Sequence, residues 1–349
     1  MKNFKGLIIV LCLSVVFFSC SSTNRLTMSA VEPARISIPS EIVKIGIINR
    51  SLPSDANQNI DKIDKILSLE GINLDKEGAE SAVLGLFDEL SQNDRFESIR
   101  MIDSIWVQRK GLGVFPAALK WEDVQQICEE FHVDVLFSLE FYDTDTEVDY
   151  EMAMVPVPNQ LGIDVSLPGH KVTLNTLIKN GWRVYDPKDK RLLDEFVSND
   201  RIVSVGQGIN PVKAIEAVIG RKESVMQVSS NLGNFYGLDV RPLRKRISRN
   251  YFVRGTNNFK MAQRRAQTDD WEGAADLWEK ELDNKKEKVA GRAHYNMAII
   301  NEINGDLERA VEWASKSYSD YRNKDGLRYV NILRNRMAEE RLLNQQLSR

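Results

Sequence analysis

The stretch Ile42-Val43-Lys44-Ile45-Gly46-Ile47-Ile48 contains five β-branched residues in seven positions. This density predicts a strand that is buried on most of its sides. The polar sequence after it predicts a loop and a short helix over 60–69. Apolar side chains then recur at helical spacing, at Ala79, Ala82, Val83, Leu86, Phe87 and Leu90. This recurrence predicts a separate amphipathic helix packed on the sheet that the first strand begins.

The same alternation of strands and helices continues towards the middle of the chain. A second strand is predicted over 98–103, and a third over 133–142. Between them, apolar residues at helical spacing predict a second helix, with Trp121, Val124, Ile127, Cys128 and Phe131 on one face.

An antiparallel hairpin and a further helix complete the predicted sheet region. Alternating residues over 172–185 and 192–197 are separated by Asp186-Pro187, a pair typical of a type I turn. Asn210 and Pro211 predict the start of a helix that runs to about Asn231. The order β-α-β-α-β-β-β-α predicts an α+β fold, a mixed β-sheet with helices packed on one face.

The C-terminal part of the chain contains an internal repeat with a constant offset of 36 residues. The offset aligns Met261, Ala262, Trp271, Ala274 and Trp278 with Met297, Ala298, Leu307, Ala310 and Ala314. The second copy resembles a tetratricopeptide repeat, although both copies lack the final proline and hold Arg265 or Asn301 at the tyrosine position. The two copies and a capping helix over 327–347 predict an all-α, tetratricopeptide-like region after the sheet.

This resemblance implies a concave groove for a protein partner. Its candidate partner-binding residues are Phe259, Gln263, Arg292, Tyr295, Asn296, Ile299 and Glu302. Tetratricopeptide grooves bind extended peptides or helices, and Arg292 with Asn296 could hold a peptide carboxylate. Because about three repeats are usually needed for stability, the alternative is that the sheet domain fills the groove.

The N-terminus has the three parts of a secretory signal peptide: Lys2 and Lys5, an apolar run over 7–18, and Ser19. The run is shorter than the roughly 20 residues of a membrane-spanning helix. The sequence Phe17-Phe18-Ser19-Cys20 resembles the lipobox of bacterial lipoproteins, with Phe17 where leucine is usual. The resemblance implies lipidation of Cys20. The alternative is an ordinary cleaved signal beside an incidental cysteine.

Lipidation of Cys20 would attach the chain to a membrane. Each buried methylene contributes about 0.8 kcal/mol, so several acyl chains form a lasting anchor. Ser21, rather than Asp, follows the cysteine, and no acidic cluster of the kind that directs related lipoproteins to the cell surface is present. We therefore expect the periplasmic face of the outer membrane, with the polar stretch 21–24 as a tether.

Charge and cysteine content narrow the class of protein. Without the signal peptide, the 47 basic residues become 45 against 50 acidic ones, a net charge of about −5. This balance argues against nucleic acid as a partner. Once Cys12 is cleaved off and Cys20 is lipidated, Cys128 is the remaining cysteine, so no intramolecular disulfide is expected.

A basic patch without any acid lies between the two predicted domains. It consists of Arg241, Arg244, Lys245, Arg246, Arg249 and Arg254. Such a patch is suited to anionic lipid headgroups, lipopolysaccharide phosphates or a partner's carboxylates. The alternative is that these side chains pair with acids of the same chain.

Candidate chemistry is weak along the whole sequence. Cys128 and His132 lie four residues apart, but an apolar stripe and a helix end favour core packing and helix capping over catalysis. Five acids at alternate positions over 143–151 predict an exposed strand face, with a weak cation site as the alternative. The apolar, proline-containing stretch 152–158 predicts a loop folded over the domain or a partner contact.

Known catalytic motifs are missing from the sequence. It has no phosphate loop, no nucleophile elbow and no His-Glu-x-x-His motif, and His132, His170 and His294 lie on separate elements. We therefore expect no enzyme activity, no cofactor and no metal site.

The element order and the segment Trp182-Arg183-Val184-Tyr185-Asp186-Pro187 resemble a family of Bacteroidetes-type lipoproteins. More distantly, the order is similar to that of the TolB N-terminal domain and the curli-export lipoprotein. The expected divisions are a signal peptide (1–19), a lipidated N-terminus and linker (20–40), an α/β domain (41–240), a basic junction (241–254) and the repeats with their cap (255–349). The expected function is a non-enzymatic interaction scaffold or assembly accessory of the envelope. A cell-wall glycan binder and an enzyme of unknown class are the alternatives.

Overall fold

The computed structural model describes residues 22–51, 62–103, 115–158, 162–218 and 221–348. Its secondary structure is 44% helix and 33% strand, with a mixed sheet in the N-terminal part and helices in the C-terminal part, so the predicted α+β class is confirmed. The chain divides into two compact units. Of the described residues, those within Ala34–Pro242 and Gln346–Arg349 form the sheet unit, and those up to Pro33 and within Leu243–Gln345 form the helical unit.

A mixed sheet of five strands organises the sheet unit. Strand β2 (Lys44–Asn49) is parallel to β3 (Ser98–Ile102) and to β4 (Val135–Pro158). Strand β5 (Asp164–Asp186) is antiparallel to β4 and to β6 (Arg191–Gly208). The strands lie in the order β3-β2-β4-β5-β6, so β2, which holds the β-branched stretch of the sequence, lies between two other strands.

Helices cover both faces of this sheet. The helices that the structure describes in this unit are α1 (Lys62–Ser91), α2 (Trp121–Phe131), α3 (Pro211–Glu216) and α4 (Arg221–Leu238). Ile45 and Ile47 pack with α1 and α4 on one face, and Ile48 packs with α2 on the other. The prediction of one covered face is wrong, because β2 carries apolar side chains at successive positions and both of its sides require burial.

Helix α1 is continuous through the region where a short helix and a separate second helix are predicted. It approaches α4 closely at two glycines. A Cβ atom on Gly85 would lie 2.0 Å from the carbonyl oxygen of Ser230, and one on Gly233 would lie 1.8 Å from that of Ala82. Both distances are too short for any side chain, so this packing depends on glycine at both positions.

The helical unit combines a two-stranded ribbon with a series of helices. Strand β1 (Thr23–Glu32) is antiparallel to β7 (Leu243–Phe252). The helices after β7 are α5 (Asn257–Gln267), α6 (Trp271–Glu279), α7 (Glu287–Ile303), α8 (Leu307–Ser319) and α9 (Lys324–Leu347). Asp270 and Asp306 cap α6 and α8 in the same way, since each side chain accepts a backbone N–H bond three residues on. The two capping residues are separated by the 36-residue offset of the sequence repeat.

The ribbon occupies sequence for which no strand is predicted. Strand β1 begins inside the predicted tether, at Thr23, and β7 lies inside the basic junction. In β1, Leu26 and Ala30 are buried while Arg25, Thr27 and Ser29 are exposed, which is the alternation of a strand with one covered side. The signal peptide and Cys20 lie outside the described residues. Within those residues, no helix is long and apolar enough to cross a membrane.

Candidate functional site

The groove predicted for a partner holds β7 of the same chain. The carboxamide of Asn296 accepts a hydrogen bond from the backbone N–H of Phe252 and donates one to the carbonyl of Phe252, both at 2.7 Å. Asn296 lies on α7 and is fully buried. It pairs with both backbone groups of one residue, as a groove asparagine would with an extended peptide.

Charged residues strengthen this contact further along β7. The guanidinium of Arg249 donates to both carboxylate oxygens of Glu302 at 2.8 Å. Arg336 donates to Glu302 at 2.9 Å, and the Tyr329 hydroxyl donates to it as well. Burial alone would raise the pKa of the Glu302 carboxyl. The hydrogen bonds from Arg249, Tyr329 and Arg336 have the larger combined effect, so the pKa lies below its ordinary value.

The remaining predicted groove residues also contact their own unit. The Tyr295 ring meets the Phe252 ring edge-on, with centroids 5.1 Å apart. Arg292 donates to the Arg254 carbonyl at 2.7 Å and lies over the Phe252 ring. Phe259 and Ile299 are buried in the core of the unit, and Gln263 is half-buried. The structure therefore brings four of the seven predicted groove residues, Arg292, Tyr295, Asn296 and Glu302, together around β7.

The basic patch is not one surface. Arg241 pairs with Glu89 at 3.0 Å, Lys245 with Glu32 at 2.9 Å, and Arg249 with Glu302. Arg244 and Arg246 are exposed on β7, and Arg254 is exposed beyond its end. The pairing of patch residues with acids of the same chain therefore accounts for three of the six side chains.

A long extension of β4 and β5 is one feature that the sequence does not predict. The two strands pair from Leu136 opposite Tyr185 out to Pro158 opposite Asp164, but β6 reaches only as far as Gly208 opposite His170. We call Met152–Pro158 with Asp164–Gly169 the distal ribbon, which starts where β6 ends and continues beyond it. The predicted loop over 152–158 is wrong, because the proline residues lie in strands with open edges, where their missing N–H groups can be tolerated.

Apolar side chains are exposed on both faces of the distal ribbon. Met152 is 75% and Met154 59% exposed on one face, and Val165 and Leu167 are each 43% exposed on the other. Its single charged residue is Asp164, at the far end. Val155 is buried and packs against Gly169, where any Cβ atom would lie 2.3 Å from its methyl group.

Below the ribbon, the two faces of the sheet differ in chemistry. The face that bears Leu167 carries the five acids, of which Asp143 lies 3.6 Å from Lys179 and Glu151 2.7 Å from Lys171. An apolar pocket of about 230 Å³ lies on the face that bears Met152. It is lined by Val148, Tyr150, Val172, Leu174, Pro211, Ile215 and Val218. In the described ranges, no group of three His, Cys, Asp or Glu residues is placed to hold a metal ion.

The candidate thiol, Cys128, is buried. Burial raises the pKa of Cys128 to about 12, and the nearby Asp134, Asp186 and Glu129 act in the same direction. His132 ends α2 in the left-handed conformation, where its backbone N–H bonds back to the helix. The burial of Cys128 fits the predicted packing role and disfavours the thiolate that nucleophilic chemistry needs, and His132 lies at the helix end as predicted.

A buried charge cluster in the sheet unit also escapes sequence reasoning. Glu140 on β4 accepts a hydrogen bond from the Tyr185 hydroxyl at 2.5 Å and is bonded by Arg50. The Arg183 guanidinium lies 3.9 Å from the same carboxylate and donates to the Pro116 carbonyl at 2.8 Å. The residues are scattered from 50 to 185 in the sequence, so no local spacing marks them as a group.

Comparisons with known proteins identify the family and leave the activity open. Among solved structures, the chain is similar to the PelC dodecamer from Paraburkholderia phytofirmans, with 6% identity, 62% of this chain and 99% of that chain covered, and a TM-score of 0.26. It is also similar to a neuraminyllactose-binding hemagglutinin homolog from Helicobacter pylori, with 12% identity, 58% and 90% covered, and a TM-score of 0.28. Likenesses this weak support no functional inference.

Two family models match the sequence. A domain of unknown function, DUF6340, matches residues 260–335. No curated protein matches the chain. A second domain of unknown function, DUF8603, matches residues 42–252, which is more than half of the chain, and the protein therefore belongs to the DUF8603 family.

Proposed function

We propose that this chain is a lipid-anchored, non-enzymatic protein of the bacterial envelope that organises a protein partner, and that the partner docks on the distal ribbon. The observation that carries the proposal is the exposure of apolar side chains on both faces of the ribbon. Contiguous apolar surface of this kind is typical of interaction sites. The proposed partner is a protein whose surface has an apolar strip beside basic side chains.

The sheet face that continues from Leu167 supports this choice of partner. Asp145, Glu147 and Asp149 project from β4 on this face. Val203 and Val205 on β6 stand on the same face, two strands away, and both are exposed. A partner with basic side chains opposite the acids of β4 and apolar side chains opposite the valines of β6 would be complementary to this face. Charge complementarity of this kind speeds encounter and fixes the register.

The edges of the ribbon favour docking on its faces. Pro156 and Pro158 lie on β4, and Pro168 lies on β5 beyond the end of β6. Proline has no backbone N–H, so these edges are poor templates for adding another strand. On the opposite face, the apolar pocket beside Tyr150 offers a place for one anchoring side chain of the partner.

The occupied groove is the reason for placing the partner elsewhere than the tetratricopeptide resemblance implies. A peptide bound by Asn296 would have to displace Phe252, and one bound by Glu302 would have to displace Arg249. In this proposal the tetratricopeptide-like helices hold the chain's own strand, and the groove residues support the fold of the helical unit.

Anchoring through Cys20 at the periplasmic face of the outer membrane is the second part of the proposal. Metabolic labelling with a fatty acid should label the wild type and leave Cys20→Ala unlabelled, since the thioether can form only at that cysteine. Cys128→Ala is the matched control, because Cys128 is buried and its loss should leave the labelling unchanged. Equal labelling of wild type and Cys20→Ala would contradict the anchor.

Site-specific photo-crosslinking in native envelopes tests the docking site. A photoreactive residue at Val165, which is 43% exposed, should give a reproducible adduct with one other protein. The same probe at Tyr318, which is 41% exposed on α8, should give none. Leu167→Asp should reduce the Val165 adduct about tenfold, as expected for the loss of a buried apolar contact.

Two further variants test whether the crosslink depends on the chemistry of the docking face. Glu147→Arg should also reduce the adduct, because it reverses a charge on the docking face. Leu342→Asp, at a leucine of α9 that is 40% exposed, should leave the adduct unchanged. Crosslinking of Val165 to lipid alone, to cell-wall polymer alone or to a second copy of this chain would overturn the assignment of a separate protein partner.

A further inference from the structure

The β1–β7 ribbon of the helical unit has two chemically different faces. On the inner face, Leu26, Ala30 and Tyr251 are buried. On the outer face, Arg25, Arg244 and Arg246 are exposed. Because successive side chains of a strand alternate between faces, Lys245 and Arg249 belong to the inner face with their partners Glu32 and Glu302. The basic residues of β7 that form ion pairs, Lys245 and Arg249, therefore lie on one face of the ribbon, and Arg244 and Arg246 lie on the other.

The outer face contains no acid at any position. Its members on β1 are Thr23, Arg25, Thr27, Ser29 and Val31, and on β7 Arg244, Arg246, Ser248, Asn250 and, buried at the end of the strand, Phe252. Arg246 stands opposite Ser29, and Arg244 opposite Val31. The structure records no ion pair to Arg244 or Arg246 from any described residue, and Arg25 donates to the Ser248 hydroxyl at 2.7 Å. All three guanidinium groups are therefore available to bind an anion from outside the chain.

The position of the ribbon in the sequence indicates which anion it meets. Strand β1 begins three residues after Cys20, so its first residue is within about 11 Å of an anchor at that cysteine. Alternate residues on one strand are about 7 Å apart, so Arg244 and Arg246 can each meet a separate headgroup. Guanidinium groups bind phosphate through two parallel N–H bonds, which lysine does not provide.

We infer that the outer face of the β1–β7 ribbon binds the phosphate headgroups of anionic phospholipids and lays the ribbon along the membrane surface. The inference rests on the anchor at Cys20 for the approach to the membrane. The binding itself depends only on the three arginines. The proposed binding surface differs from the basic patch of the sequence. Arg241, Lys245 and Arg249 are not part of it, because they form ion pairs with acids of the same chain. Arg25 is part of it, together with Arg244 and Arg246.

Vesicle co-sedimentation of the chain from Ser21 onward tests the inference, because that chain lacks Cys20 and keeps every described residue. It should bind vesicles of phosphatidylcholine with phosphatidylglycerol and should not bind phosphatidylcholine alone. Each basic residue near an anionic surface accounts for about a fivefold change in affinity, so Arg244→Gln with Arg246→Gln should weaken binding about thirtyfold. Added salt should weaken wild-type binding as well.

Lys260→Gln with Arg264→Gln is the matched control, because it removes the same charge from an exposed side of α5 in the same unit. This control should change the affinity by less than about twofold, against a fivefold effect for each contacting charge. Equal weakening by the two double variants, or equal binding to both kinds of vesicle, would overturn the inference. Failure of fatty-acid labelling at Cys20 would overturn the anchor and would leave the vesicle result standing.

Discussion

Glu302→Ala is expected to lower the free energy of unfolding of the helical unit by about 3–5 kcal/mol, the usual cost of removing one partner of a buried ion pair. The carboxylate is buried and takes hydrogen bonds from Arg249, Arg336 and Tyr329. Without it, the Arg249 guanidinium, which is mostly buried, loses its counter-charge. The strand β7 would then be held in the groove chiefly by Asn296 and the aromatic contacts of Tyr251 and Phe252.

Hydrogen exchange on the intact chain is the suitable measurement, because a chain of two units need not unfold in one step. Amides of α7, α9 and β7 should exchange faster in Glu302→Ala. Glu312→Ala removes the same charge from an exposed position of α8 and should leave these rates unchanged. Similar exchange rates in the two variants would show that the network around Glu302 does not stabilise the unit.

The same carboxylate makes the stability of the helical unit depend on pH, and the stability is expected to fall in acid. The pKa of Glu302 is lowered in the folded chain, because the bonds from its three donors outweigh the effect of burial. Its contribution to stability is therefore fully present above the unfolded-state pKa of about 4.3 and is lost as the pH falls through the lower folded value. This acid-induced loss of protection should be smaller in Glu302→Ala, which has no carboxyl to protonate.

The elements that the sequence predicts well are those in which local pattern and tertiary role agree. The stretch that contains Ile45, Ile47 and Ile48 forms β2, and the apolar stripe from Trp121 to Phe131 forms α2. In both, the residues that must be buried are neighbours at a regular spacing. The constant 36-residue offset predicts the helix pairs for the same reason, because Ala262, Ala274, Ala298 and Ala310 are all fully buried.

The β1–β7 ribbon could not be predicted in the same way. Thr23 pairs with Phe252 and Glu32 with Leu243, across more than 200 residues of intervening chain. Neither strand has the dense apolar character of β2, since each has one exposed face. In the sequence, the basic residues of β7 are recognisable only as a positively charged segment. Their division between two faces, Lys245 and Arg249 on one and Arg244 and Arg246 on the other, can be derived only once the segment is known to be a strand.

The length of β4 shows how a tertiary partner can override local signals. The alternating acids over 143–151 predict an exposed strand face, but the prolines over 152–158 disfavour a central strand, which is why the sequence predicts a loop there. The prolines are tolerated because β2 pairs with β4 only over residues 135–139, which leaves the β4 edge beyond them without a strand partner among the described residues. Strand β5 supplies the pairing on the other side as far as Asp164.

Glu140→Ala should destabilise the sheet unit by about 3–5 kcal/mol, because the buried Arg50 would lose the Glu140 carboxylate that it bonds, whereas Arg183 would keep its ion pair with Glu195 at 2.7 Å. The Tyr185 hydroxyl would also lose its acceptor, and this hydroxyl connects Glu140 to the backbone N–H of Leu119 at 3.0 Å. The cluster joins strands β4 and β5 at the base of the extension that carries the distal ribbon. Its loss should therefore also weaken crosslinking from Val165.

Pulse proteolysis in increasing urea, scored by fragments from residues 34–242, would measure this effect for the sheet unit alone. Glu147→Ala is the matched control, since it removes an exposed carboxylate from the same strand. Adding Arg50→Met to Glu140→Ala should recover part of the stability, because an apolar side chain costs less to bury than a guanidinium that has lost the Glu140 carboxylate. If the double variant is no more stable than Glu140→Ala, the destabilisation comes from lost packing, and the cluster does not act through its charges.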